Sequence, residues 1–137
     1  MKCKKNKKIK VVHVLGKLQI GGAETLVMNL YRNIDRDKVE FSFIVHGNEL
    51  GDYEREIVVN GDKIFHIPKY TISNLMSYKK ALEEIFSSNK FDIVHCHIRS
   101  SASIVLKIAK KYNVLTISHS HATSNGSGIK SIIKDIL

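Results

Sequence analysis

Apolar residues change their spacing repeatedly along this chain. Short, nearly continuous runs alternate with longer stretches in which apolar positions return every three or four residues. The first run, Ile9, Val11, Val12, Val14 and Leu15, has the density of a strand buried on both faces of a parallel sheet. From Ala23 the period lengthens, placing Leu26, Val27, Leu30, Tyr31 and Ile34 on one face of a helix. Asn33 to Lys38 is a polar turn, and Val39 to His46 (VEFSFIVH) is a second strand ended by Gly47-Asn48. Asp52 is placed to cap a short helix over Tyr53 to Val59, which Asn60-Gly61 terminates. Lys63 to Ile67 is a third strand closed by Pro68. Ser73 or Asn74 caps a longer helix with Leu75, Tyr78, Leu82, Ile85 and Phe86 on one face. Phe91 to Cys96 is a fourth strand, and Ser100 or Ser101 caps a helix that turns Ile104, Val105, Ile108, Ala109 and Tyr112 inward. Val114 to Ser118 is a fifth strand.

Strands alternating with helices predict an α/β fold, a Rossmann-like open parallel sheet with helices on both faces. Right-handed crossovers and a reversal of direction around the first strand give the order 3-2-1-4-5. No internal repeat interrupts the alternation, so residues 9–137 read as one domain, itself incomplete, behind a basic leader, residues 1–8. The loop Ser118 to Gly128 (SHSHATSNGSG) reads as mobile. Beyond it, Ile129, Ile132, Ile133 and Ile136 recur at helical spacing. That apolar face is unfinished, which predicts more protein after Leu137.

The turn between the first strand and helix carries Gly16, Gly21 and Gly22. Glycine at a helix start allows close approach to the backbone, and the N–H groups of the first turn attract an anion. Glu24 in that turn suits the dipole and can accept hydrogen bonds from hydroxyls. The pattern is not the dinucleotide fingerprint, because no G-x-G-x-x-G occurs there. Lys17, Leu18, Gln19 and Ile20 widen the loop, which suits it to shaping a cleft.

Composition narrows the function classes. At 137 residues the chain can bury about two thirds of its unfolded surface. No apolar run approaches the roughly 18 residues of a membrane span, and the N-terminus lacks the apolar core of a signal peptide. Cys3 and Cys96 are too few and too far apart for a disulfide framework, which predicts a reducing, cytoplasmic setting. The net charge is +9, and Lys2, Lys4, Lys5, Lys7, Lys8 and Lys10 concentrate part of it in the leader. Such a leader is either a solvated tail or an attraction to anionic lipid at the membrane face. Nucleic acid is not the expected partner, since no stacking-aromatic pattern or reading helix accompanies the charge.

The chemistry-bearing residues fall at the carboxyl ends of strands. His95 and His97 bracket Cys96, and His119 and His121 bracket Ser120. Ligands of open α/β sheets bind outside the carboxyl ends at the switch point, so both pairs and the Gly21-Gly22 turn should line one crevice. Arg99 and Ser100 would add a cationic, hydrogen-bonding rim. Three readings stand side by side. The histidines hydrogen-bond a polyhydroxylated or phosphorylated substrate and stabilise developing charge, which is the preferred reading. Alternatively, His95, His97, His119 and His121 bind zinc in a metal-dependent α/β enzyme. Both rings of an H-x-H pair face one way only while the strand stays regular, however, and no carboxylate is placed to support them. In the third reading they are polar strand ends with no role. His13, inside the first strand, reads as a core histidine with a satisfied hydrogen bond, and His46 and His66 as strand ends on the far side with no role.

Three segments in this order, VVHVLGKLQIGGAETLVMNL, FDIVHCH and TISHSHAT, make the chain resemble the N-terminal domain of a GT-B, retaining family 4 glycosyltransferase of the capsular and exopolysaccharide type. The resemblance spans Ile9 to about Gly128, and the gapped G…GGAE ahead of a helix is its most specific part. It implies transfer of a sugar from a nucleotide-sugar co-substrate, with no metal or other cofactor, to a glycan or a polyprenyl-diphosphate-linked acceptor. Gly21 and Gly22 would lie near the donor diphosphate and the acceptor. His119, or His121 in the alternative register, would stand beside the sugar being transferred, with His97 and Arg99 on the acceptor side. The family's second domain, with its Glu-x7-Glu pair, is not in this sequence, so the chain alone is expected to be inactive or nearly so. A non-catalytic α/β module that partners a separate donor-binding protein is the alternative.

Overall fold

The computed structural model describes residues 7–119. Five strands, β1 (Ile9–Leu15), β2 (Val39–His46), β3 (Ile64–Ile67), β4 (Ile93–Cys96) and β5 (Leu115–Ser118), form one sheet in the order β3-β2-β1-β4-β5. Every pairing is parallel, as the alternating pattern predicts. Helices α1 (Gly22–Asn33), α2 (Glu54–Val59), α3 (Leu75–Ser88) and α4 (Ala102–Lys111) fill the connections.

Strand alternation sorts the core into two layers. Val12 and Val14 of β1 and Val94 and Cys96 of β4 pack with Tyr78, Leu82 and Val105 from α3 and α4. On the opposite face, Leu15 and Leu18 pack with Val27, Met28 and Tyr31 of α1, Phe43 of β2 and Ile57 of α2. His13 lies on this second face, with its ring 4.3 Å from Phe41. Among the described residues no helix is long and apolar enough to cross a membrane.

Several local expectations change. Ile9 is 47% exposed, because β1 begins at the rim of the sheet. Leu26 and Leu30 are 42% and 45% exposed, since the sheet covers only the sector of α1 that carries Val27, Met28 and Tyr31. Asp52 does not cap α2: its carboxylate accepts the Ile20 N–H at 3.0 Å, and Tyr53 takes the cap position without a side-chain bond. Ahead of α3 a 3-10 turn, Ile72–Asn74, is held by a capping box between Thr71 and Asn74. Ser101 occupies the α4 cap position, but its hydroxyl is turned to Tyr78. The segment after 119, including His121 and the expected terminal helix, lies outside the described residues.

Candidate functional site

The carboxyl ends of β1, β2 and β4 are stitched together beyond the strands themselves. The His46 N–H donates to the Gly16 carbonyl at 2.7 Å, and the His97 N–H donates to Val14 at 2.9 Å. The loop leaving β1 is clamped from one side. Leu18 is fully buried, its carbonyl accepts the Tyr53 N–H at 3.0 Å, and Gly51 lies against its backbone. A Cβ at Gly51 would stand 2.2 Å from the Leu18 oxygen, so only glycine lets the two segments meet. Lys17 reaches Glu49 at 2.9 Å across the same opening.

These loops enclose a cleft of about 730 Å³, lined by Gly16, Lys17, Gln19, Glu24, His46, Gly47, Asn48, Glu49, Lys69, Tyr70, Ile98, Ser100 and Ser101. The lining mixes two lysines, two carboxylates, hydroxyls and amides, a donor and acceptor set that suits a polyhydroxylated, anionic ligand. Glu24 folds back over the helix start, its Oε2 standing 2.8 Å from where a Gly21 side chain would begin. One wall of the cleft rests on a polar relay. The Leu15 carbonyl can only accept, so His46 Nδ1–H donates to it at 2.7 Å, and His46 Nε2 accepts the Tyr78 hydroxyl at 2.7 Å. Tyr78 Oη in turn accepts the Ser101 hydroxyl at 2.7 Å. Burial lowers the His46 pKa against the opposing pull of the Leu15 carbonyl, which keeps the ring neutral. Burial also pushes the Tyr78 phenol up to about 12.

The histidines gather elsewhere, on the sheet face toward α1 and α2. His13 pairs with His95 across β1 and β4, and the pleat continues through His97, whose ring centroid is 4.0 Å from that of His95. His119 follows β5 with its N–H donated to Cys96 at 2.9 Å, and its ring lies 5.5 Å from His95 and 5.6 Å from His97. Strand geometry therefore persists past the assigned ends, and the H-x-H pair does direct both rings one way. His13 Nδ1 and His97 Nε2 are 3.2 Å apart, while His13 Nε2 is buried with no hydrogen-bond partner among the described residues. Desolvation, and then the neighbouring His95, lower the His13 pKa to about 3.

The single crevice expected from the sequence is thus two places. Glu24 and Ser100 front the cleft. Gly21 and Gly22 form the start of α1 behind Glu24, and Arg99 is exposed in the loop after β4. His95, His97 and His119 do not line the cleft but stand with His13. His46, set aside from the sequence, lines the cleft, as do Lys17, Lys69 and Tyr70. The order 3-2-1-4-5 carried a signal for His46: β2 adjoins β1, so its carboxyl end belongs to the same edge.

Residues 20–135 match the family model described as Glycosyltransferase Family 4. The chain belongs to glycosyltransferase family 4. This family 4 chain is 35% identical over 121 residues to EpsF of Bacillus subtilis (strain 168), whose name assigns it to the glycosyltransferases. That alignment covers 87% of the chain but 32% of EpsF, so the chain spans about a third of the relative's length. Among solved structures, MurG of Acinetobacter baumannii superposes with a TM-score of 0.62 at 11% identity, over 93% of this chain and 39% of MurG. The C-terminal domain of a Pyrococcus furiosus hydrogenase superposes at 0.54 and 14% identity, over 82% of this chain and 92% of that domain. At these identities both likenesses speak for the Rossmann-like fold alone.

Proposed function

We propose that this family 4 chain is the acceptor-side domain of a retaining glycosyltransferase. The enzyme moves a sugar from a nucleotide-sugar donor to a glycan or polyprenyl-diphosphate-linked acceptor. The observation that carries this reading is the cleft at the sheet's switch point. Its carboxylates, Glu24 and Glu49, accept hydrogen bonds from sugar hydroxyls, and Lys17 and Lys69 favour diphosphate oxygens. Gly21 and Gly22 sit where the backbone can approach the donor diphosphate, at the amino end of α1. Arg99, exposed in the loop after β4, extends the acceptor side, whereas His97 and His119, which the family pattern would put beside the acceptor and the transferred sugar, do not line this cleft. No metal or other cofactor enters the transfer.

Stabilising the departing nucleoside diphosphate needs groups on both sides of it. The cleft supplies one wall, so the chain by itself turns over poorly and a donor-binding domain supplies the rest. The leader lysines hold the protein at an anionic cytoplasmic membrane face, at about 1 kcal/mol per basic residue near the surface.

Isotope-labelled chain titrated with nucleotide sugars and with a short saccharide diphosphate tests the assignment. Amide shifts at Lys17, Gly47, Lys69 and Ser100 are expected with the saccharide diphosphate, with weaker effects from nucleotide sugars. Saturable binding that leaves those four amides unmoved, or rapid turnover by the chain alone, would overturn it.

A further inference from the structure

The histidine group does not line the cleft, and its geometry suggests a second chemistry that does not depend on the transfer reading. We propose that His13, His95 and His97 bind a divalent cation of the zinc class on the α1 face of the sheet. His13 and His95 are register partners on adjacent strands, and His97 follows two residues later with its N–H bonded to Val14. The strand period of two then delivers all three imidazoles to one side. One nitrogen from each ring lies within 4.8 Å of the other two. His13 Nδ1 and His97 Nε2, at 3.2 Å, are already at the nitrogen–nitrogen spacing of a tetrahedral ion with bonds of about 2.0–2.1 Å. The widest pair closes by a ring rotation that moves its nitrogen on the order of 1 Å.

Protonation fits as well. A metal ligand must present a lone pair, and His13, at 1% exposure, sits in surroundings that disfavour a charged ring. The hydrogen between His13 Nδ1 and His97 Nε2 occupies the place an ion would take. On binding, that proton moves to the far nitrogen of the ring that carries it, and each ring presents a lone pair. The tautomer shift leaves the protein's charge unchanged and the ion adds its own.

The donor set decides the class of ion. Imidazoles with no carboxylate or carbonyl oxygen among them suit zinc, cobalt, nickel or copper and not magnesium or calcium. Three ligands leave a fourth position for water or for His119, whose ring stacks on that of His95 at 5.5 Å. The three ligands come from two neighbouring strands of the sheet centre, so the ion would tie β1 to β4 and stabilise the domain.

Cobalt(II) and zinc titrations of the metal-stripped chain test the site. One equivalent of cobalt is expected, with the strong visible absorption of four-coordinate geometry, displaced by zinc but not by magnesium. His97→Ala should weaken zinc binding by about tenfold or more, while His66→Ala, which removes an imidazole at the β3 edge of the same face, bonded there to Glu54, should leave zinc binding unchanged. Should His97→Ala fail to fold, imidazole nitrogen shifts in the unsubstituted chain decide: His13, His95 and His97 must move together at one equivalent of zinc. Weak, non-saturating, six-coordinate cobalt spectra would overturn the site, as would equal binding by a folded His97→Ala protein.

Discussion

Gly51→Ala is the sharpest test of how the cleft loop is held. The added Cβ would lie 2.2 Å from the Leu18 oxygen, 2.4 Å from its carbonyl carbon and 2.8 Å from its Cα. All three are backbone atoms, so no side-chain rotation relieves the clash. Carbon–oxygen contacts settle at about 3.3–3.6 Å, so the segments must part by about 1 Å. That stretches the 3.0 Å bond from Tyr53 N–H to Leu18 beyond useful length. Overpacking costs about 1–3 kcal/mol and the lost bond about 0.5–1.5 kcal/mol. The stiffer unfolded chain returns about 0.4–1 kcal/mol. The net loss is about 0.5–4 kcal/mol, centred on about 2 kcal/mol, a fall in Tm of about 7 °C for a domain of this size. Urea unfolding followed by far-ultraviolet circular dichroism reads it as a lower midpoint at unchanged slope. An unchanged midpoint would refute the reasoning and show that the loop slides past Gly51 at no cost.

Gly22→Ala meets nothing within 4 Å and stands at the first position of α1, so it should stabilise the fold by about 0.5–1 kcal/mol in the same urea assay. Under the transfer reading it should also weaken nucleotide-sugar binding, which separates its two effects. Tyr78→Phe removes the donor to His46 Nε2 and the acceptor of Ser101, and should lower stability by about 1–3 kcal/mol. His46 has a folded pKa below its unfolded value of 6.5, so the unfolded chain binds the extra proton and stability is lost as pH falls below about 6.5. The groups facing it are Tyr78 and the Leu15 carbonyl, with Lys17, Glu24, Glu49 and Lys69 sharing the cleft. Urea midpoints between about pH 7 and pH 5 should therefore fall less steeply in His46→Gln. His13 shifts in the same direction, so the slope should shrink without vanishing.

Local pattern was sufficient for the frame. The run from Val39 to His46 is β2 residue for residue, and the strand order follows from alternation and handedness alone. What the pattern could not supply is the choice among distant partners. Asp52 beside a helix start reads as a cap, but the N–H of Ile20, 32 residues away in sequence, takes its carboxylate in the fold. Ser101 reads as a cap for the same reason, and Tyr78 takes its hydroxyl from another helix. Gly51 belongs to no recognisable turn signature, because its need for glycine arises from Leu18, which only the folded chain delivers. His46 was within reach: its strand neighbours the first, and the rule that puts ligands at the carboxyl edge applies to it as much as to His97.

Two outcomes follow from one alternation. In β1, Val12 and Val14 face α3 and α4, while His13 and Leu15 face α1 and α2. β4 repeats the division, with Val94 and Cys96 on the first side and His95 and His97 on the second. The apolar half leads to the cleft, because Tyr78 belongs at once to that core layer and to the relay that ends on His46 and Ser101. The polar half leads away from it, to the His13 imidazole packed beside Phe41 and Phe43 with His95 and His97 against it. A disturbance of the α3 and α4 layer therefore reaches the cleft through hydrogen bonds of 2.7 Å, and reaches the histidines through the backbones of β1 and β4. The cleft and the histidine group are consequently separable by mutation, although β1 and β4 contribute to both.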